Sequence, residues 1–219
     1  MDSSDGAVRS QIANELLRIG AVSLSPSEPF TWASGRLSPV YCDNRLSLGY
    51  PSVRELIAEA FEQTVRREHI PCDVIVGTAT AGIPHAAWLA QRMGLPMAYV
   101  RSSAKGHGKG NQIEGLAPRG AKAIVIEDLV STGMSSTAVL APLSEAGVEV
   151  TAVLAIFTYG LEAAQDAFQA AKMPLYTLSD FPTLIQEAEH SGTLTNSEIV
   201  SLEAWYQDPA RWSLERGGK

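Results

Sequence analysis

Two stretches of this chain carry residue types, at spacings, that suit chemistry on an anion. The first is AYVRSSAKGHGKGNQIEG, residues 98–115. It sets Arg101, Lys105, His107 and Lys109 among Gly106, Gly108 and Gly110. Glycines interleaved with polar residues cost too much conformational entropy to fix without a partner. Cations on such a flap point to ordering by an anionic ligand, with closure excluding water and strengthening the local electrostatics. The second stretch is AIVIEDLVSTGMSS, residues 123–136. An apolar run ends in two acids, Glu127 and Asp128. Then come Leu129, Val130 and the small, hydroxyl-rich Ser131, Thr132, Gly133, Met134 and Ser135. Bare amides at a helix start, with hydroxyls beside them, can cradle a phosphate, and Gly133 lets the backbone come close. The two carboxylates would repel a phosphate placed directly on them, so they suit sugar hydroxyls instead. The plain alternatives are a solvated basic loop and a strand end with solvated acids.

A third stretch, VGTATAGIPHA (residues 76–86), repeats the pattern of strand, small-residue loop and helix. By itself it is an ordinary connection; beside the other two it offers amides and hydroxyls to a second anion. Neither Gly-Lys-Ser/Thr of a nucleotide P-loop nor G-x-G-x-x-G of a dinucleotide fold occurs in these loops.

Something must hold the three loops together. Apolar strand runs over residues 72–77, 95–101, 122–129 and 149–157 alternate with helical patterns over 82–93, 135–146 and 161–171, and a weak final strand covers 175–178. Near-continuous apolar strands between helices imply α/β: an open, mostly parallel sheet flanked by helices, with ligands beyond the carboxyl ends of the strands. The 135–146 helix is expected to be single despite Pro142, since its apolar spacing runs on to Gly147. Residues 8–19 read as an amphipathic helix and 52–69 as a longer one; 181–190 and 196–206 read as two short helices. Between 25 and 45 lies a turn-rich segment carrying Phe30, Trp32 and Tyr41. The expected organisation is an N-terminal helix and hood (1–50), an α/β core (51–178) and a C-terminal helical extension (179–219).

Composition narrows the class. A chain of 219 residues that is 45% apolar can bury a real core. A net charge of −7 argues against nucleic-acid binding, which needs a basic face. The lone pair Cys42 and Cys72 fits neither a disulfide framework nor a zinc site. With no signal-like start and no long apolar run, the expected protein is cytoplasmic and makes no membrane contact. Trp88 and Trp205 read as packing residues and His69 and His190 as surface ones, whereas His85, at a helix start, could approach a ligand.

Taken together, these residues resemble a phosphoribosyltransferase. IVIEDLVSTGMSS resembles the family's motif for phosphoribosyl pyrophosphate (PRPP). R-S-S-A-K-G-H-G-K-G-N-Q-I-E-G resembles the mobile loop of orotate phosphoribosyltransferases, R-x-x-A-K-x-H-G followed by IEG. PFTWASGRLSPVYCDNR resembles the N-terminal hood of a bacterial subgroup of those enzymes. The resemblance implies the type I phosphoribosyltransferase fold with a small hood and C-terminal helices. It implies Mg²⁺-dependent transfer of phosphoribose from PRPP to orotate, giving orotidine 5′-monophosphate and pyrophosphate in pyrimidine synthesis. It also implies a homodimer whose loop serves the neighbouring subunit's site. Glu127 and Asp128 would bind ribose hydroxyls. Leu129, Val130, Ser131, Thr132, Gly133, Met134 and Ser135 would hold the 5′-phosphate. Arg101, Lys105 and His107 would reach the pyrophosphate, with Lys105 and His107 catalytic, and Ser131 would lie near orotate. No protein ligand to the metal is implied.

The chain departs from the enterobacterial pattern at Ser102, Ala33 and Ala81, each a lysine there, and FTYG (residues 157–160) lacks an arginine that meets orotate. Arg45 or Arg36 is the expected replacement. Transfer to another base, or a regulator that senses PRPP without catalysis, are the competing readings. The hood opposes the first. Against the second stand the Lys105–His107 pattern and an N-terminal region without a basic helix-turn-helix.

Overall fold

The computed structural model describes residues 3–32, 34–102 and 112–219, with Ser3 and Ser4 described in their backbone alone. Lys105, His107, Lys109 and Ala33 lie outside the described residues. The chain divides into two compact units, Met1–Ser47 with Phe181–Lys219, and Leu48–Asp180.

The first unit opens with α1 (Ser3–Arg18), which buries Ile12, Ala13 and Leu16 on one face. Two antiparallel pairs follow: β1 (Val22–Leu24) with a later β4 (Val40–Cys42), and β2 (Phe30–Thr31) with β3 (Leu37–Ser38). A 3-10 helix spans Asn44–Gly49. These pairings are too short to show alternation, which explains why the hood reads from sequence as turns alone.

In the second unit α2 (Pro51–Arg67) starts on a proline, whose missing N–H costs nothing at a first helical position. It buries Val53, Ile57, Phe61 and Val65, one residue every fourth position. Then come β5 (Val74–Thr78), α3 (Gly82–Met93), β6 (Met97–Val100), β7 (Ile113–Gly115), β8 (Lys122–Val130), α4 (Met134–Ala138), α5 (Leu140–Glu145), β9 (Glu149–Thr158), α6 (Glu162–Ala170) and β10 (Leu175–Asp180). The chain returns to the first unit as α7 (Phe181–His190), α8 (Asn196–Gln207) and α9 (Pro209–Leu214), with α1 packed on α7.

One six-stranded sheet runs in the order β10-β9-β8-β5-β6-β7. Its pairings are parallel except the last, β6 with β7. Every residue of β5 is buried, as is most of β9, because helices cover both faces of a parallel sheet. The α/β architecture expected from the alternating pattern is the one observed.

Two expectations fail locally. The helix expected over 135–146 is broken at Val139 into α4 and α5. The Pro142 ring crowds the carbonyl of Ala138 and offers it no N–H, so the break falls where proline acts. Strand β7, unexpected, has only three residues and pairs at an edge. Among the described residues no helix is long and apolar enough to cross a membrane.

Candidate active site

The carboxyl ends of β5, β6 and β8 meet at one cleft of about 200 Å³. Thr78, Arg101, Ser102, Gln112, Glu127 and Ser135 line it. The three stretches singled out by their chemistry therefore converge, each through at least one residue. A larger hollow of about 630 Å³ lies on α7 and α8. Its charged groups, Glu189 and Glu203, are both acidic and unsuited to a phosphate.

Strand β8 runs through the two acids, as the expected strand over 122–129 does, and ends one residue later at Val130. Glu127 is only 7% exposed. Its carboxylate is held from two sides. Thr78 Oγ1 donates to Oε1 at 2.7 Å, the Asp128 N–H donates to the same oxygen at 3.1 Å, and Ser136 Oγ donates to Oε2 at 3.2 Å. Burial raises its pKa to about 7, with the charge of Asp128 acting in the same direction and the Thr78 hydroxyl against it. Asp128 stays half-buried beside it. Thr78 belongs to the stretch expected to offer hydroxyls to a second anion, yet its hydroxyl donates to Glu127; Ser136 ends the acid-acid stretch with no expected role. Their function of fixing Glu127 needs tertiary contact, over 49 residues for Thr78, and no local spacing signals it.

After Asp128 the strand carries Leu129, half-buried, and Val130, buried. The loop then holds Ser131 half-buried and Thr132 exposed. Gly133 has φ +77°, and a Cβ there would stand 3.2 Å from both Ala167 and Phe168, so only glycine turns the chain here without strain. Met134 is 74% exposed at the start of α4, and the exposed Ser135 lines the cleft.

On the opposite wall the Ala79–Thr80 peptide bond is cis. Gly82 opens α3, and a Cβ there would fall onto the Ile126 carbonyl oxygen and 2.6 Å from Thr78 Oγ1. Both neighbours belong to the strands that place Glu127. Gly82→Ala is therefore expected to destabilise the protein by about 2–3 kcal/mol through overpacking, read as a lower denaturant midpoint at unchanged m-value.

His85 does not reach the cleft. It is 1% exposed, stacks edge-on against Trp88 at 5.3 Å, and burial lowers its pKa to about 4. It is a neutral packing residue. Arg45, in the smaller unit, clasps Asp43 with two hydrogen bonds, Nε to Oδ1 at 2.6 Å and Nη2 to Oδ2 at 2.8 Å, which lower the Asp43 pKa. Arg36 is exposed on the turn between β2 and β3.

The described residues contain no group of three or more His, Cys, Asp or Glu arranged to hold a metal. Glu127 already accepts three hydrogen bonds, which makes it a poor direct ligand. A cage built from protein alone does not fit. A magnesium ion carried by a diphosphate does, since that ion is usually held by one or two carboxylates plus substrate phosphates, and Asp128 is the half-buried carboxylate at this strand end.

Residues 48–174 match the family model for the phosphoribosyl transferase domain. The chain is 54% identical over 205 residues to an orotate phosphoribosyltransferase of Bacillus caldolyticus, covering 94% of this chain and 99% of that one. Among solved structures it is similar to the orotate phosphoribosyltransferase of Aeropyrum pernix, with TM-score 0.72, 30% identity, and coverage of 84% of this chain and 99% of that one. It is also similar to the UMP synthase of Leishmania donovani, with TM-score 0.79 and 26% identity; the match covers 90% of this chain but only 42% of that longer one. A cleft lined by Glu127, Arg101 and Ser135 beside a glycine-hinged loop on a parallel sheet, together with these likenesses, leads to one assignment: the chain belongs to the phosphoribosyltransferase family, among its orotate phosphoribosyltransferases.

Proposed function

We propose that the protein transfers phosphoribose from PRPP to orotate, releasing pyrophosphate and forming orotidine 5′-monophosphate for pyrimidine synthesis. One observation carries this reading: a buried, triply hydrogen-bonded Glu127 shares a cleft with Ser135 of the loop-helix junction and with Arg101. The carboxylates of Glu127 and Asp128 accept the ribose hydroxyls. The amides and hydroxyls from Leu129 to Ser135 hold the 5′-phosphate, as small residues at a helix start allow. Arg101 meets the diphosphate. Magnesium, bound with the substrate, supplies positive charge that offsets the diphosphate.

The transfer builds positive charge on the sugar and negative charge on the leaving group, as glycoside cleavage does. No covalent nucleophile is needed. What the protein must do is hold the sugar still and neutralise the departing diphosphate. Lys105 and His107, outside the described residues, perform the second task, contributed by the partner subunit of a homodimer. Arg45 meets the orotate carboxylate after exchanging its hold on Asp43, or Arg36 takes that place. Neither Cys42 nor Cys72 is in a disulfide, which suits a reducing cytoplasm.

The test is the loss of orotate absorbance in the presence of PRPP and Mg²⁺, with adenine and guanine as comparison bases. The expected result is turnover with orotate alone. Chelation with EDTA is expected to abolish that turnover, and excess Mg²⁺ to restore it. Turnover of a purine instead, or activity indifferent to EDTA, would count against the reading.

A further inference from the structure

The cleft holds a charged contact that the reaction outlined above does not use. Strand β7 enters the sheet antiparallel to β6, pairing Tyr99 with Glu114 and Val100 with Ile113. Just past the strands, the Arg101 N–H donates to the Gln112 carbonyl at 2.9 Å, and Gln112 Nε2 donates back to the Arg101 carbonyl at 3.3 Å. Side chains alternate faces along a strand, so Tyr99, Arg101, Gln112 and Glu114 share one face. Gln112 stands opposite Arg101, and Glu114 stands diagonally behind it, a spacing long side chains can bridge. Arg101 Nη1 lies 3.8 Å from Glu114 Oε1, both side chains being partly exposed at 35% and 29%.

The register of Glu114 is not adjustable. Gly115 follows it with φ +94°, and a Cβ there would stand 2.7 Å from the Met97 carbonyl oxygen. The strand can approach β6 this closely only with glycine at that position. Glu114 is therefore fixed one register step back from the cleft, while Arg101 and Gln112 line it. At 3.8 Å the contact lies beyond hydrogen-bond reach, so this carboxylate orients the guanidinium without consuming the Nη1 donor. An arginine side chain otherwise carries substantial rotamer freedom that an anion would have to quench on binding.

We propose that Glu114 is a positioning residue: it holds Arg101 in readiness at the cleft and so strengthens binding of the diphosphate of PRPP. The inference rests on the reading of this cleft as a PRPP site, and not on the identity of the base.

The test is equilibrium binding of PRPP by calorimetry, with Mg²⁺ present, for the wild type, Glu114→Gln, Glu114→Asp, Arg101→Gln and the double variant Glu114→Gln/Arg101→Gln. Glu114→Gln is expected to raise the Kd about fivefold, the effect of losing an exposed ion pair that orders a long side chain. Glu114→Asp is expected to recover part of the loss. In the Arg101→Gln background the Glu114 change is expected to have no effect, because the residue acts through Arg101. Equal losses in both backgrounds, or a Kd unchanged or lowered by Glu114→Gln, would overturn the inference. Matched thermal unfolding of all variants separates positioning from damage to the β6–β7 pair. Wild-type protein that binds PRPP yet leaves orotate untouched would remove the orotate reading and leave this one standing. Wild-type protein that does not bind PRPP would remove both.

Discussion

Lys105→Ala is expected to lower kcat at least about tenfold, and about a hundredfold if its contact is worth what one oxyanion-hole donor is worth. The reasoning starts from charge. As the bond from sugar to diphosphate lengthens, negative charge grows on the departing oxygens, so a cation that meets them there stabilises the transition state more than the bound substrate. The loss should therefore fall on kcat, with a smaller change in KM for PRPP. The unfolding midpoint should stay put, because residues 103–110 are small or polar throughout and offer a core nothing to bury. If the loop serves the neighbouring subunit, a second result follows. Mixing Lys105→Ala protein with a variant crippled at Glu127, after subunit exchange, should restore about a quarter of wild-type activity, since half the dimers are hybrids and each hybrid has one intact site. No recovery on mixing would mean that the loop works within its own subunit. Near-normal turnover by Lys105→Ala alone would remove Lys105 from the chemistry.

How far the sequence reached depended on the range of the interaction that decides each feature. Strands β5 and β9 were legible because burial on both faces gives each a near-continuous apolar run, a local property of the sequence. Helix α3 was legible because Pro84 near its start and Gly94 at its end mark both limits; Gly94 takes the left-handed conformation that ends the helix. Helix α9 was missed although Asp208 followed by Pro209 is a sound start signal. Its six residues are too few to display a period, yet the Asp208 side chain does cap the Arg211 N–H at 2.9 Å. The break at Val139 is hidden because the apolar spacing runs on across Pro142 to Gly147 while the proline interrupts the backbone hydrogen bonding.

In the site, the acid pair and the loop after it were visible as a motif. What no motif could reveal is which acid turns inward. That asymmetry is made by Thr78 on β5 and Ser136 on α4, which reach Glu127 from different elements. In the sequence Glu127 and Asp128 are adjacent carboxylates with nothing local to distinguish them. The structure separates them into a buried acid with a raised pKa and a half-buried neighbour. Arg45 shows the same limit. Its candidacy rested on a missing arginine elsewhere, and nothing in the spacing warned that Asp43, two residues earlier, clasps it.

That separation makes Glu127→Gln the most informative substitution, because it should move activity and stability in opposite directions. A carboxylate accepting hydrogen bonds from ribose hydroxyls forms charge-assisted bonds, each worth about 1.5–3 kcal/mol. An amide keeps one acceptor oxygen and weakens both, so kcat/KM for PRPP is expected to fall about a hundredfold. The fold should accept the amide. Its oxygen can take the place of Oε1, still accepting from Thr78 and the Asp128 N–H, while its NH₂ faces Ser136, whose hydroxyl can turn to accept. Stability then follows from linkage. The Glu127 pKa is raised from an ordinary 4.5 to about 7, so between these values the folded state holds a proton that the unfolded chain has released. The stability belonging to the neutral form is present in full below about pH 4.5 and is lost as pH rises through 7. At about 1.4 kcal/mol per pH unit the ionised carboxylate costs the fold roughly 3 kcal/mol above pH 8. Glutamine has no charge to bury, so Glu127→Gln should melt higher than the wild type at pH 8 and approach it at pH 5. Substrate adds the reverse linkage: hydroxyls that donate to the carboxylate favour its charged form, so wild-type affinity for PRPP should rise from pH 6 to pH 8 more steeply than that of the variant, which keeps only the rise due to ionisation of the substrate's own phosphates. A variant that is both inactive and less stable at pH 8 would mean that Glu127 is a structural anchor held charged by its donors, and the sugar-binding role would pass to Asp128 alone.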